Sequence, residues 1–326
     1  MVLAVIVAIG FMLGHKDVPY QHNSGYIFGT TYNITYQCSD DHKEDIENVL
    51  ADVDASLSPF NDTSIITHVN RNEDVVLDDF FLDVFRLALR INEDTEGAFD
   101  ITVAPLVNAW GFGFKSGVHP DAKAIDSLRQ VVGLHKVKLE DGKVVKFDSR
   151  VMFDCSAIAK GYGVDVVANL LRKYGVKNFM VEIGGEVVTS GLNPDRLPWR
   201  IGVTKPTDDS LSINNELQTV INVTDKAMAT SGNYRNFYYK GGRKYAHTID
   251  PKTGYPVQHS ILSATVIADD CATADAYATS FMVLGLEKSK KVLERHPEMM
   301  VYFIYSDEKG QNQVWFSPAL KDKIAQ

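Results

Sequence analysis

The order of strand and helix patterns is the feature that most constrains how this chain of 326 residues can fold. Five stretches rich in β-branched and aromatic residues follow one another without a helical pattern between them. Helical periodicity is grouped on either side of this run. Consecutive strands with grouped helices predict an α+β fold with mixed, largely antiparallel sheets, rather than alternating βαβ units. The strand candidates are 178–190, 199–204, 217–223, 235–249 and 261–268.

Further elements are predicted around this run. A strand interrupted at Gly29 is expected over 26–37, and Ser156 is a possible cap for the third helix. Residues 230–234 have the composition of a small polar loop that could meet a ligand. Hairpins are predicted at 136–148 and 299–316, and helices at 41–57, 79–92, about 157–174, 273–284 and 286–296.

Charge and motif content argue against several classes of function. The formal net charge is −9 and no dense run of Lys or Arg is present, so nucleic acid is not an expected partner. A phosphate-bearing ligand would need a cation at its site. The chain lacks both G-x-G-x-x-G after a first strand and G-x-x-x-x-G-K-[ST], so Rossmann and P-loop nucleotide binding are not supported. Three cysteines without a C-x-x-C indicate neither a disulfide framework nor a zinc site.

The N-terminal segment carries the only targeting signal. Residues 2–14 are continuously apolar, which is shorter than the roughly 20 residues that span a bilayer but suits the core of an export signal. A buried strand or helix is the alternative. We therefore divide the chain into a signal or anchor segment with a polar linker, 1–24, and a folded body, 25–326. This predicts a location at the cell inner membrane, with the body on the periplasmic side.

Three short motifs carry groups suited to phosphate chemistry. Asp154 and Lys160 flank the start of a predicted helix, where free N–H groups and the helix dipole favour an anion. Asp275 and Thr279 are four residues apart on one helical face, an arrangement that suits a hard cation such as Mg²⁺. His247 lies near a strand end and is a candidate proton acceptor. Taken singly, each motif is better explained by a structural role: a helix capped by Asp154, a packed helix or a structural histidine.

Two glycine-containing motifs are compatible with a close approach by a ligand. Residues 97–113 place small residues beside aromatic ones, which suits a wall for a flat ring or a loop that packs its aromatics inward. In residues 182–186 (EIGGE), two glycines at a strand end allow a ligand or another backbone to come close, and a bulge explains them equally well.

In their order along the chain and in their residue sequences, these motifs resemble the ApbE family of FAD:protein FMN transferases. The resemblance extends from about Gly29 to the helix of Asp275 and rests on six blocks. It implies a mixed α+β body around a flavin-binding cleft. The blocks are AFDITVAPLVNAWGFG, DCSAIAKGYGVD, VEIGGEV, ATSGNYRNF, HTIDPKTGYPV and ATADAYATSFMVLG.

The resemblance also implies roles for individual residues. His247 falls at the position of the family's functionally important histidine. Asp275 and Thr279 would bind Mg²⁺, with Ala157 supplying a backbone carbonyl. The residues implied to contact FAD are Phe28, Phe60, Ala98, Phe99, Asp100, Asp154, Lys160 and Ile249.

The implied reaction is Mg²⁺-dependent transfer of FMN from FAD to a threonine or serine hydroxyl of an acceptor protein, with release of AMP. The implied acceptors are subunits of membrane redox pumps, of the sodium-translocating quinone reductase or Rnf type. One alternative, an FAD pyrophosphatase in which water replaces the protein hydroxyl, uses the same residues. The other is a non-catalytic flavin-binding protein of the cell envelope; a missing metal ligand or histidine would favour it, and this sequence has both.

Overall fold

An eight-stranded antiparallel sheet forms the centre of the computed structural model, which describes residues 18–114, 119–206, 216–233, 237–240 and 243–325. The strand order is β1-β2-β5-β6-β9-β12-β13-β14, and each neighbouring pair is antiparallel. The predicted α+β class with largely antiparallel sheets is confirmed. The strands are β1 (Tyr20–Ile27), β2 (Thr30–Gln37), β5 (Phe179–Ile183), β6 (Glu186–Ser190), β9 (Ala227–Gly232), β12 (Ile261–Ala268), β13 (Met300–Ser306) and β14 (Asn312–Phe316).

Three two-stranded sheets complete the β structure. They are β3 (Val137–Glu140) with β4 (Lys143–Lys146), β7 (Arg200–Thr204) with β8 (Leu217–Asn222), and β10 (Phe237–Lys240) with β11 (Arg243–Ala246). The first pair confirms the hairpin predicted at 136–148.

The predicted linker is wrong in its last five residues, because 20–24 belong to β1. β1 pairs along its whole length with β2, and Phe28 and Gly29 form the turn between them with φ angles of 51° and 73°. The interruption expected at Gly29 is therefore confirmed as a hairpin turn. The polar composition misled the prediction, since an edge strand accepts polar side chains on its exposed face.

A second correction concerns residues 230–234, which were predicted as a loop. Thr230 and Ser231 lie inside β9, which pairs with β12 in register. Thr230 and Thr265 exchange a hydroxyl hydrogen bond of 2.9 Å across this pair. At Thr230 and Ser231, hydrogen bonds rather than apolar packing hold the strand. The sequence therefore shows small polar residues there, instead of the β-branched pattern that predicts a strand.

The helices surround the sheet. Those predicted by periodicity are present: α1 (Lys43–Leu57), α3 (Asp79–Asp94), α6 (Ala159–Lys173), α7 (Cys271–Leu284) and α8 (Leu286–Leu293). Ser156 is not the cap of α6, because that helix begins at Ala159 with Ile158 before it. Three short helices escaped prediction: α2 (Ile65–Asn70), α4 (Ala104–Ala109) and α5 (Ala122–Arg129).

Helices α6 and α7 pack against each other, α6 also contacting β5 and β6 and α7 also contacting β9 and β12. Gly161 makes this contact possible, since a Cβ atom there would lie 2.4 Å from the carbonyl oxygen of Cys271. Asp165 in α6 accepts hydrogen bonds of 2.8 Å from the N–H groups of Cys271 and Ala272 at the start of α7. The two helices are thereby fixed where the predicted phosphate and metal motifs begin.

Two smaller apolar clusters pack away from the main core. One joins β7 and β8 to the central sheet through residues such as Val203, Ile221 and Met228. The other joins α4 and α5 through Trp110 and Ile125. Within the ranges described, no helix is long and apolar enough to cross a membrane, and the apolar run of 2–14 lies outside them.

Candidate active site

One large cavity of about 1110 Å³ opens between the central sheet, helices α6 and α7, and the β7–β8 pair. Every residue to which the sequence assigned a site role lines it, although these residues come from six separate segments of the chain. They are Phe28, Phe60, Ala98, Phe99, Asp100, Asp154, Ala157, Lys160, His247, Ile249, Asp275 and Thr279.

A charged cluster lies in the wall of the cavity. The ammonium of Lys160 donates to Oε1 of Glu186 at 2.5 Å and lies 4.0 Å from Oδ2 of Asp275. Both carboxylates are almost fully buried, with 3% of each residue exposed. Burial raises the pKa of Glu186 above its ordinary value, against the lowering effect of Lys160. Burial alone would lower the pKa of Lys160, but the charges of Asp275 and Glu186 raise it above its ordinary value.

The α7 face that was predicted to hold a metal looks into the same cavity. Oδ2 of Asp275 accepts a hydrogen bond of 3.1 Å from the N–H of Gly161, which ties the carboxylate to α6. One turn further along, the hydroxyl of Thr279 lies 3.1 Å from that of Ser231 on β9. Ala157 lies in the turn before α6 and also lines the cavity.

These donors fit a hard divalent cation. Carboxylate, hydroxyl and backbone carbonyl oxygens are the ligands that Mg²⁺ takes in proteins. In addition, Oε2 of Glu186 is buried without a hydrogen-bond partner, so the cluster has an unused acceptor. In the described part of the chain no three His, Cys, Asp or Glu side chains gather as a metal cluster, so the site would depend on mixed oxygen donors.

Asp154 lies at the end of the cavity before α6. Its N–H donates to the carbonyl of Ile101 at 2.7 Å, and its Oδ1 accepts from the N–H of Ser156 at 2.8 Å. Burial raises the pKa of this carboxyl, and the bond to Ser156 opposes the shift. The structural alternative, in which Asp154 caps the helix, is wrong, because α6 begins at Ala159 and Asp154 lies in a turn that lines the cavity.

The carboxylate of Asp100 organises the loop that bears Ala98 and Phe99. Oδ1 accepts from the N–H and hydroxyl of Thr102, at 2.8 and 2.6 Å, and Oδ2 accepts from the N–H of Leu134 at 3.1 Å. Ala98 and Phe99 are buried where they line the cavity. This wall therefore has a fixed shape before any ligand binds.

The loop that carries His247 and Ile249 is held by bonds on both sides. The hydroxyl of Thr248 donates to Asn233 at 2.7 Å, and the indole of Trp110 donates to the carbonyl of Gly254 at 2.8 Å. The ring of His247 lies edge-on to that of Phe112, with centroids 6.4 Å apart. Trp110 thus packs into the protein interior, whereas Phe112 lines the cavity, where its ring can form a wall for a flat ligand.

Two phenylalanines mark other parts of the cavity lining. Phe28 packs against α6 at Gly163, where a Cβ atom would lie 2.6 Å from its ring. Phe60 is 68% exposed and meets the ring of Phe114 edge-on at 6.3 Å. A large aromatic side chain left this exposed beside a cavity is available to cover a ligand.

Sequence reasoning missed two contributors to the cavity, the carboxylate of Glu186 and strand β7. Glu186 was noted only as part of a glycine motif, although its carboxylate is the direct partner of Lys160. The two glycines, 184 and 185, form the hairpin turn between β5 and β6, rather than a bulge. Strand β7 also lines the cavity, and nothing in its composition signals a site. Ser231 belongs to the segment that was expected to meet a ligand; it does line the cavity, although it lies in a strand rather than a loop.

Comparison with known proteins agrees with this geometry. The family model described as "ApbE family" matches residues 28–303. The FAD:protein FMN transferase of Vibrio cholerae is 38% identical over 304 residues, 90% of each chain, and that of Haemophilus influenzae is 36% identical, covering 95% of this chain and 93% of its own.

Solved structures show the same relationship. The flavin transferase ApbE from Vibrio cholerae superimposes with a TM-score of 0.84 at 36% identity, covering 94% of this chain and 99% of its own. The apo flavinyl transferase ApbE from Pseudomonas stutzeri gives a TM-score of 0.83 at 29% identity, with 94% and 96% covered. By the match of sequence, fold and family model alike, this chain belongs to the ApbE family.

Proposed function

We propose that this protein transfers FMN from FAD to a threonine or serine hydroxyl of an acceptor protein in a Mg²⁺-dependent reaction. The observation that carries the proposal is the gathering of all twelve predicted site residues around one cavity of about 1110 Å³. Its relatives in Vibrio cholerae and Haemophilus influenzae are named FAD:protein FMN transferases. A cavity of this volume is large enough for a dinucleotide.

The walls suggest how FAD is oriented. Phe28, Phe99 and Phe112 offer flat apolar surface to an aromatic ring system. Lys160 supplies a positive charge near the start of α6, where free N–H groups also favour an anion. These features support an orientation in which the pyrophosphate lies beside Lys160 and the rings lie along the aromatic walls.

The acidic side chains need a counter-ion before an anionic ligand can enter. Asp275, Thr279 and the carbonyl of Ala157 would hold a divalent cation. When bound, Mg²⁺ neutralises charge on the phosphates and holds them in line for displacement. The hydrogen bond from Gly161 fixes the Asp275 carboxylate for this task.

His247 is the proposed proton acceptor. The acceptor hydroxyl attacks the phosphorus on the riboflavin side, and a new P–O bond to the protein forms. The bond from this phosphorus to the bridging oxygen breaks, so AMP leaves with the electron pair. The imidazole of His247 takes the hydroxyl proton. Among the solved relatives is a variant of the Vibrio cholerae protein in which one histidine is replaced by glycine.

The test is a reconstitution of the transfer. The full chain is incubated with FAD, Mg²⁺ and a candidate acceptor, and the acceptor is examined for flavin fluorescence on a denaturing gel. We expect fluorescence that requires all four components and that is absent when the target threonine is replaced by alanine. Free FMN without labelled acceptor would indicate a pyrophosphatase, and unchanged FAD would indicate a flavin-binding protein.

We further propose that the acceptors are subunits of membrane redox complexes and that the body works on the periplasmic side of the inner membrane. The support is the apolar run of 2–14, which suits an export signal or anchor. Cell fractionation followed by protease treatment of intact spheroplasts tests this location. Recovery of a protected chain in the cytosolic fraction would contradict it.

A further inference from the structure

The cluster around Lys160 carries more negative than positive charge. Glu186 and Asp275 are both buried, and among the described residues Lys160 is the only cationic side chain paired with either of them. When both carboxylates are ionised, the two carboxylates and one ammonium give the cluster a net charge of −1. Because an uncompensated buried charge is strongly unfavourable, the cluster lacks one positive partner.

One oxygen of the cluster also lacks a partner. The ammonium of Lys160 occupies Oε1 of Glu186, whereas Oε2 is buried and accepts no hydrogen bond from any described residue. Buried polar atoms almost always have a partner. A carboxylate can serve a different partner at each oxygen. The cluster that lacks a positive partner therefore also contains an unused acceptor, Oε2 of Glu186.

The neighbouring donors are of the type that a divalent cation uses. Asp275 and Thr279 present a carboxylate and a hydroxyl from successive turns of α7, in the cavity that Glu186 also lines. Glu186 and Asp275 lie close together, since Lys160 is within 4.0 Å of both. The carboxylate of Glu186 thus belongs to the same oxygen-rich part of the wall.

We infer that Glu186 is a further ligand of the divalent cation, binding through Oε2 while Oε1 keeps Lys160. The cation changes the net charge of the cluster from −1 to +1, which favours the anionic phosphates of FAD. The inference rests on the proposed function, because it concerns the cation that the transfer requires.

Binding of Mn²⁺ to the metal-free full chain, without FAD, tests the inference by electron paramagnetic resonance of the free ion. We expect Glu186→Gln to weaken Mn²⁺ binding at least about tenfold, since even indirect partners of metal ligands carry effects of 10–100-fold. Asp275→Asn should weaken it similarly. Glu140→Gln, which removes a half-exposed carboxylate on β3, should bind as the wild type does.

A second pair of variants separates direct ligation from action through Lys160. In a Lys160→Met background, Glu186→Gln should still weaken Mn²⁺ binding at least about tenfold. If the effect disappears in that background, Glu186 only positions Lys160 and the inference is wrong. Glu186→Asp, which keeps the charge on a shorter arm, should bind Mn²⁺ between the wild type and Glu186→Gln. It serves as the test if the glutamine variant does not fold.

The outcomes distinguish failure of the inference from failure of the proposed function. If Asp275→Asn loses Mn²⁺ while Glu186→Gln binds normally, Glu186 is not a ligand and the proposed metal site stands. If the wild type itself binds no Mn²⁺, the metal dependence of the proposed function fails together with the inference. Thermal melting of each variant in chelator confirms that folded proteins are compared.

Discussion

At the scale of single residues, the carboxylates of Asp100 and Asp154 line one cavity but differ in their remaining capacity to accept hydrogen bonds from a ligand. Both oxygens of Asp100 accept hydrogen bonds from its own protein, from Thr102 and Leu134. Toward the residues that the structure describes, Asp154 uses only Oδ1, for the N–H of Ser156. Asp154 therefore keeps acceptor capacity for a ligand, whereas Asp100 shapes the wall. The FAD contacts assigned to both residues remain predictions.

His247 gives the most direct prediction at this scale. We expect His247→Ala to lower the rate of transfer at saturating FAD at least about a hundredfold, because general-base assistance is typically worth 10²–10⁴-fold. FAD affinity should remain nearly normal, since the base acts on the attacking hydroxyl in the transition state. Flavin fluorescence measures the binding and AMP release measures the rate.

An exposed histidine provides the control for this variant. His22→Ala alters a side chain on β1 that bonds only to Thr35 and should leave both quantities unchanged. If His247→Ala instead abolishes FAD binding while the rate at saturation stays normal, His247 is a binding residue and the proposed mechanism is wrong.

Among the contacts between helices and strands, the one between α6 and α7 matters most for the site, because it places Lys160 beside Asp275. Asp165 fixes the start of α7 by accepting two backbone N–H bonds. Gly161 lets the helices approach closely enough for its own N–H to bond Asp275. The site thus depends on the spacing of two helices as much as on its own side chains.

Replacing Gly161 tests this dependence. Glycine to alanine inside a helix normally stabilises by about 1 kcal/mol. Here a Cβ atom would lie 2.4 Å from the Cys271 carbonyl oxygen and 2.9 Å from Cβ of Asp275. We therefore expect Gly161→Ala to destabilise the protein by about 1–3 kcal/mol, measured by denaturant unfolding.

A neighbouring glycine in the same helix is the matched control. At Gly163 the added Cβ would meet the ring edge of Phe28, which is a side chain that can move. Gly163→Ala should therefore cost less stability than Gly161→Ala. Equal stability of both variants and the wild type would show that the α6–α7 spacing is not constrained as described.

The carboxyl of Asp165, which accepts two N–H groups at the start of α7, predicts a pH-dependent contribution to the stability of the protein. Burial raises the pKa of Asp165 to about 7 in the folded protein, above its ordinary value of 3.8, although its bonds to Cys271 and Ala272 oppose the shift. Ionisation therefore costs folding free energy, and this cost increases as the pH rises from about 4 to about 7. We expect Asp165→Asn to destabilise the protein by about 1 kcal/mol, because it weakens the hydrogen bonds to the start of α7.

The sign of the pH effect is the sharper part of this prediction. The wild type gains stability from this group as the pH falls below about 7, while asparagine does not titrate. The deficit of Asp165→Asn should therefore be larger near pH 5 than near pH 8, in denaturant unfolding at both values. A deficit that grows toward high pH would show that Asp165 is stabilised as the carboxylate.

Sequence patterns predicted the elements unevenly, for physical reasons. Helices α1, α3 and α7 bury one face or are apolar throughout, so periodicity or composition identifies them. Strand β9 escaped because its polar residues bond across the sheet, and β1 because an edge strand tolerates polar side chains. The short helices α2, α4 and α5 offer too few turns for a periodic signal.

At the scale of the whole molecule, the fold gathers segments that are far apart in the sequence. Phe28 and Thr279 are separated by most of the chain, yet they line one cavity. The site residues could be named from the sequence, because each of the six motif blocks has a recognisable local sequence and the blocks follow the family order. Glu186 could not be assigned in this way, because its importance comes from its partner Lys160 on α6. Ser231 lies in the segment that was expected to meet a ligand, but its contact with Thr279 on α7 left no signal in the sequence.

The mass of the acceptor protein after reaction tests the central claim, transfer of FMN to a protein hydroxyl, most directly. The account predicts that an acceptor incubated with this protein, FAD and Mg²⁺ gains the mass of FMN less one water. It also predicts one AMP released for each flavin attached, and no gain when the target threonine is replaced by alanine. AMP and free FMN in equal amounts, with the acceptor mass unchanged, would contradict it.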